Sequence, residues 1–146
     1  MDNGSWVSPE GLFYRGFGDP GFDTRVDHIL DHTRPRFDRA NTDLHGYFVD
    51  EFVDGNPLAV VDEAWIRRSD ADDVFEQLND AGDVTRIEYT VDMGRDVGRI
   101  SGSLGADLNL PPTQFVTVVV EASDETRIVT AFPALVDGDG LIVRNG

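Results

Sequence analysis

The chain has 146 residues, 40% of them hydrophobic, enough for one domain that buries roughly two-thirds of its unfolded surface. It contains no cysteine, which excludes disulfides, thiolate metal sites and a cysteine nucleophile, and no apolar run nears the ~18 residues of a membrane span. Asp and Glu number 28 against 12 basic residues, for a net charge of −16, so a polyanion would have to meet a local basic patch against an unfavourable overall field.

All the basic residues are arginine, and a carboxylate-rich, lysine-free surface is what a salt-adapted proteome produces. The first five residues, Met1 to Ser5, have neither the charged nor the apolar part of a secretory leader. An exported form is therefore expected to travel by another route or within a longer polypeptide. Residues 1–23, rich in glycine and aromatics, read as an irregular arm packed on the core, and 24–146 as a single domain.

Thr24 can cap a short helix from Arg25 to His32, which Pro35 stops. A loop with Asn41, Asp43, His45 and Gly46 follows. Asn56, with Pro57 at the first helical position, caps a longer helix whose stripe is Leu58, Val61, Ala64 and Trp65. Ser69 followed by Asp72 suggests a third helix through Val74, Phe75 and Leu78. After Gly82 the period becomes alternating, with Ile87, Tyr89 and Val91 on one face of a strand. A glycine-punctuated stretch runs from Met93 to Pro112. Strands over Gln114–Glu121 and Thr126–Pro133, joined around Ser123, Asp124 and Glu125, form a hairpin, and Leu141–Val143 adds a short edge strand. Helices followed by strands imply an α+β fold, with N-terminal helices packed on a C-terminal antiparallel β-sheet.

Residues 25–39 hold Arg25, Arg34, Arg36 and Arg39 with three Asp and two of the three His, the only long stretch that is not acidic. His28 and His32 are four apart and share a helix side. Three readings stay open for them: a zinc site completed by His45 and carboxylates, a structural role, or acid–base cleavage of a phosphodiester. In the last, Arg34, Arg36 and Arg39 supply fork-shaped donors to phosphate. Thr130 is expected to share a strand face with Ile128 and Phe132, and a tight turn over Ser123-Asp124 sets Thr117 opposite Thr130 and Phe115 opposite Phe132. A strand threonine is ordinarily structural, but a hydroxyl among apolar neighbours can donate to a phosphate oxygen, and an aromatic beside it can stack on a base. The glycines from Gly98 to Gly105 match no phosphate-binding loop, and Asp137 to Gly140 reads as a turn, not a calcium loop.

Taken in order, His28-Ile-Leu-Asp-His-Thr, Val61-Asp-Glu-Ala-Trp65, Val91-Asp-Met-Gly-Arg95-Asp-Val-Gly98, Val118-Val-Val and Arg127-Ile-Val-Thr-Ala-Phe-Pro133 form a recognisable series. Over about residues 24 to 134 the chain resembles the C-terminal ribonuclease toxin domains of bacterial polymorphic and contact-dependent inhibition systems. The motifs are short, and their order and spacing carry the resemblance.

It implies the fold shared by barnase, EndoU-type, colicin-type and RelE-type nucleases. It further implies RNase A-like cleavage of an RNA, for example a transfer RNA, with no metal or other cofactor. By the resemblance, His28 is the acid–base residue, Arg39 the arginine eleven positions later and Thr130 the threonine of a terminal Thr-x-Tyr. Phe132 stands where that pattern has tyrosine, and His32 or Arg95 is the candidate to supply the missing function. Arg34, Arg36, Thr117 and Phe132 are candidate substrate contacts. The expected partners are RNA and a cognate immunity protein, with no membrane association and a monomeric free state. Delivery within a larger effector and action in the cytoplasm of a competing cell are also implied. Two other readings remain: a non-catalytic acidic binding module on a degenerate nuclease fold, and a zinc hydrolase using His28, His32 and His45.

Overall fold

The computed structural model describes residues 6–14, 45–101, 111–136 and 142–143. In chain order these form β1 (Trp6–Val7), β2 (Phe13–Tyr14), β3 (His45–Phe48), α1 (Asp50–Val53), α2 (Pro57–Ile66) and a single 3-10 turn (Arg68–Asp70). Then come β4 (Asp73–Leu78), β5 (Val84–Asp92), β6 (Gly98–Ser101), β7 (Pro112–Thr113), β8 (Phe115–Glu121), β9 (Asp124–Val136) and β10 (Ile142–Val143). The architecture is α+β, as the sequence implies, and sheet dominates it. The expected helix over Arg25–His32 lies outside the described residues.

The large sheet has the order β1-β2-β9-β8-β5-β4, with β10 also pairing to β9. Its spine, β9-β8-β5-β4, is antiparallel throughout. The sheet as a whole is not, because β2 lies parallel to β9, with Phe13 beside Arg127 and Tyr14 beside Ile128. The expected third helix is absent: Asp73–Leu78 is strand β4, paired with β5. Val74, Phe75 and Leu78 fit a helical stripe in the sequence, but Val74-Phe75 is also a strand-favouring pair. The ladder offered by β5 decides between the two.

Helix α2 forms where expected. The Asn56 side chain accepts from the Ala59 backbone N–H at 3.2 Å, and Pro57 follows at a position whose N–H has no helical partner. Its buried side chains, among them Val61, Ala64 and Trp65, join Val91, Val116, Val118, Val120, Ile128 and Ala131 in one core. The ring of Trp65 meets Tyr89 edge-on at 6.2 Å. The N-terminal hairpin contributes Leu12 and Tyr14, both fully buried. Polar contacts tie it to α2, since the Ser8 hydroxyl donates to Asp62 Oδ1 at 2.5 Å and accepts from the Leu12 N–H at 3.0 Å. Burial, reinforced by the charge of Asp62, pushes the Tyr14 hydroxyl well above the ordinary tyrosine range.

A second sheet, β3-β6-β7, crosses the far end of β9. Two glycines permit this. A side chain on Gly46 would run into the Pro133 carbonyl, and one on Gly98 into the Tyr47 carbonyl and the Pro133 ring. The Thr113 hydroxyl completes the junction by donating to the Ala134 carbonyl at 2.6 Å.

Candidate functional site on the β8–β9 face

The β8–β9 hairpin forms as expected, but in a different register. Its turn is Ala122-Ser123, with Glu121 opposite Asp124, and β9 carries extra residues at two places before it settles into regular pairing. Thr117 therefore faces Phe132, Val119 faces Thr130, and Phe115 faces Ala134. The residue inserted at Val129 also breaks the alternation along β9. Ile128, opposite Val120, joins the core under α2, while Thr130, opposite Val119, turns to the other face. The expected sharing of a face by Ile128 and Thr130 is thereby corrected.

The face turned away from α2 carries Thr90 of β5, Thr117 of β8 and Phe132 of β9 in one cross-strand row. Glu88, Val119 and Thr130 form the next. Thr90 and Thr117 are buried, and their hydroxyl oxygens lie 2.8 Å apart. Each hydroxyl has one proton, so whichever donates, the other's proton has no acceptor among the described residues. The Thr130 Oγ1 is itself shielded from solvent and has no hydrogen-bond partner among the described residues. A buried hydroxyl left unmatched is uncommon and costly. Periodicity alone did not single out Thr90, the third hydroxyl of this face; its pairing with Thr117 depends on the β5–β8 register.

Arg95 lies elsewhere. It clasps Glu63 of α2 with two hydrogen bonds of 2.9 Å each, and Arg67 stands 3.6 Å from the same carboxylate. The Arg95 hydrogen bond holds the Glu63 carboxyl below its usual range, outweighing the opposing effect of burial. This cluster sits with α2, across the sheet from Thr130. The sequence candidates thus divide: Thr117, Thr130 and Phe132 come together on one face, and Arg95 does not join them. His28, His32, Arg34, Arg36 and Arg39 lie outside the described residues.

No group of three or more metal-ligating side chains occurs among the described residues, and no helix there is long and apolar enough to cross a membrane. No protein-family model matches this chain, and neither does any curated protein or solved structure.

Proposed function

We propose that the chain is a ribonuclease toxin domain that cleaves RNA by attack of a substrate 2′-hydroxyl, without a metal. The observation that carries this reading is the cluster of threonine hydroxyls on the face away from α2, above all the unmatched Thr130 Oγ1 beside Phe132. Thr130 is the residue that the resemblance assigns to the reacting phosphate. A hydroxyl with no acceptor among the described residues keeps its proton for a phosphate oxygen. The fold reading, a nuclease fold of the barnase and EndoU kind, rests on the same resemblance and on the α+β sheet that carries this face.

In the proposed reaction His28 takes the 2′-hydroxyl proton, and the freed oxygen attacks the adjacent phosphorus. The bond to the 5′-oxygen breaks, leaving a 2′,3′-cyclic phosphate, and His32 returns a proton to the departing oxygen. Thr130 donates to a phosphate oxygen, Phe132 offers a ring to a base, and Arg34 and Arg36 hold neighbouring phosphates. Arg39 balances the charge of the pentacoordinate phosphorus. Arg95 is the weaker candidate for that role, since Glu63 already occupies both arms of its guanidinium. Delivery within a larger effector, action in a target cell's cytoplasm and a cognate immunity protein belong to the same proposal.

A second reading, a non-catalytic binding module, draws on the net charge of −16, which opposes RNA. The two separate in one experiment: total RNA with the purified protein in EDTA, at low and molar salt, beside His28→Ala. The ribonuclease reading requires cleavage to cyclic phosphate ends by the wild type alone. Cleavage that survives His28→Ala, or intact RNA at every salt, would sink it.

A further inference from the structure

The face of the large sheet that carries α2 is only partly roofed. Helix α2 lies over β8, its Trp65 reaches Tyr89 of β5, and the 3-10 turn packs against β5. The same face continues across β4, where Val74 stands beside Tyr89 and Glu76 beside Ile87. There the apolar side chains are open to solvent: Val74 is 52% exposed and Leu78 61%, with Val84, across from Leu78, at 36%. This outer strip lies on the opposite side of the sheet from Thr130.

An apolar sheet face is buried by packing another layer on it, most often helices. In the strand order β4 is two steps from β8, roughly 10 Å at ~4.8 Å per step, which matches the ~8–10 Å between helices packed side by side. The strip beside α2 therefore has the width of one more helix. Its charge is one-sided. Exposed Glu76 stands between Val74 and Leu78 on the same strand face and makes no ion pair among the described residues. From Ser69 to Val84 the chain holds six carboxylates, those of Asp70, Asp72, Asp73, Glu76, Asp80 and Asp83, and no cation. Two further charges border the strip and are already engaged: Arg68 lies 3.7 Å over the Trp65 ring, and Glu125 accepts from the Tyr89 hydroxyl at 2.6 Å.

We propose that the outer strip of this face docks an amphipathic helix of a partner protein, laid beside α2. Its apolar stripe covers Val74, Leu78 and Val84, and an Arg or Lys beside that stripe reaches Glu76. The charge pattern selects this occupant over a second copy of the chain. A symmetric pair would set one acidic strip against the other and join two molecules of charge −16 each. This inference does not depend on the ribonuclease reading, and a partner seated here leaves the Thr130 face clear.

The test is titration of the isotope-labelled full chain, followed by methyl resonances, with a capped helical peptide of about 18 residues, long enough to hold its helix. Leucine forms its apolar stripe, and arginine and alanine fill the rest. One control has glutamate in place of arginine, and a second has the arginine composition with the stripe scrambled. The arginine peptide should give saturable shifts at the methyl groups of Val74, Leu78, Val84 and Ile87, and neither control should. Glu76→Arg, at an exposed position, should keep the spectrum of a folded protein, weaken the arginine peptide by about tenfold and admit the glutamate peptide. Leu78→Ser should weaken the arginine peptide without changing the charge preference. Shifts that are absent, fall on other residues or are matched by the scrambled peptide would overturn the proposal. So would a concentration-dependent dimer, seen by sedimentation and abolished by Leu78→Ser, since a second copy would then own the strip.

Discussion

Three threonines on one sheet face are chemically alike but not interchangeable. Thr117→Val leaves the Thr90 hydroxyl buried without its partner, and should cost about 1–3 kcal/mol in a denaturant melt with activity falling only in step with stability. Thr130→Val removes a hydroxyl that has no partner among the described residues, so its melt should be unchanged within about 0.5 kcal/mol, or slightly improved. Its RNA cleavage should fall by about 10²-fold, the typical loss when one transition-state donor is removed. Equal loss of stability in both variants would make Thr130 an ordinary packing residue.

Titration offers a second check at this scale. Burial first, then its 2.6 Å hydrogen bond to Glu125, pushes the Tyr89 hydroxyl up to about 12, and Tyr14 is shifted in the same direction. The folded chain holds these protons more tightly than the unfolded one. The Tyr89 contribution is therefore intact below the ordinary value of about 10 and fades as pH rises through 12, and that of Tyr14 fades at still higher pH. Absorbance of tyrosinate should show both rings ionising late, with unfolding following on the alkaline side. Glu63 runs the opposite way: its lowered pKa favours the fold above the ordinary carboxyl range and is lost on acidification. The pair is partly exposed, so that contribution is at most about 1 kcal/mol.

At the scale of elements, α2 and β5 were legible because their signals are local. Asn56-Pro57 announces a helix start, and Ile87, Tyr89 and Val91 alternate without interruption. Asn56→Ala should accordingly cost about 1 kcal/mol in a denaturant melt, the worth of one side-chain cap. Strand β4 reads as helix in the sequence because Ser69 and Asp72 imitate a helix start, and only the partner strand shows otherwise. The pairing of Thr117 and Thr130 was misplaced because nothing in Ile128-Val129-Thr130 announces an extra residue; a bulge is visible only against the strand beside it. His45 and Gly46 read as loop in the sequence, yet they begin β3, whose place is set by a distant proline. Gly46→Ala would drive a methyl group into the Pro133 carbonyl and should cost about 1–3 kcal/mol or more as the two sheets separate, measured by thermal melting.

For the whole molecule, charge is the governing quantity. A net −16 spread over one small domain opposes compaction at low salt, where the Debye length is ~10 Å at 0.1 M, and much less at 1 M, where it is ~3 Å. The melting temperature should rise by several degrees between those salts, since about 1 kcal/mol corresponds to roughly 2–8 °C for chains of this size. A flat response would mean that the carboxylates are too far apart to matter to one another. The same screening bears on the proposed RNA cleavage, which should tolerate molar salt better than a basic nuclease does, because salt weakens the repulsion together with the phosphate contacts.

The parallel ladder between β2 and β9 also governs the order in which the protein can be completed. Phe13 and its neighbour Arg127 are 114 residues apart in sequence. A ribosome emits the first of these long before the second. Until β9 emerges, one side of β2 has no strand to meet, and the hairpin bearing Leu12 and Tyr14 waits as an unfinished seam on the nascent chain. Closure of the sheet on that side thus waits for β9, and the interval before it is when the polypeptide is most open to capture by chaperones or proteases.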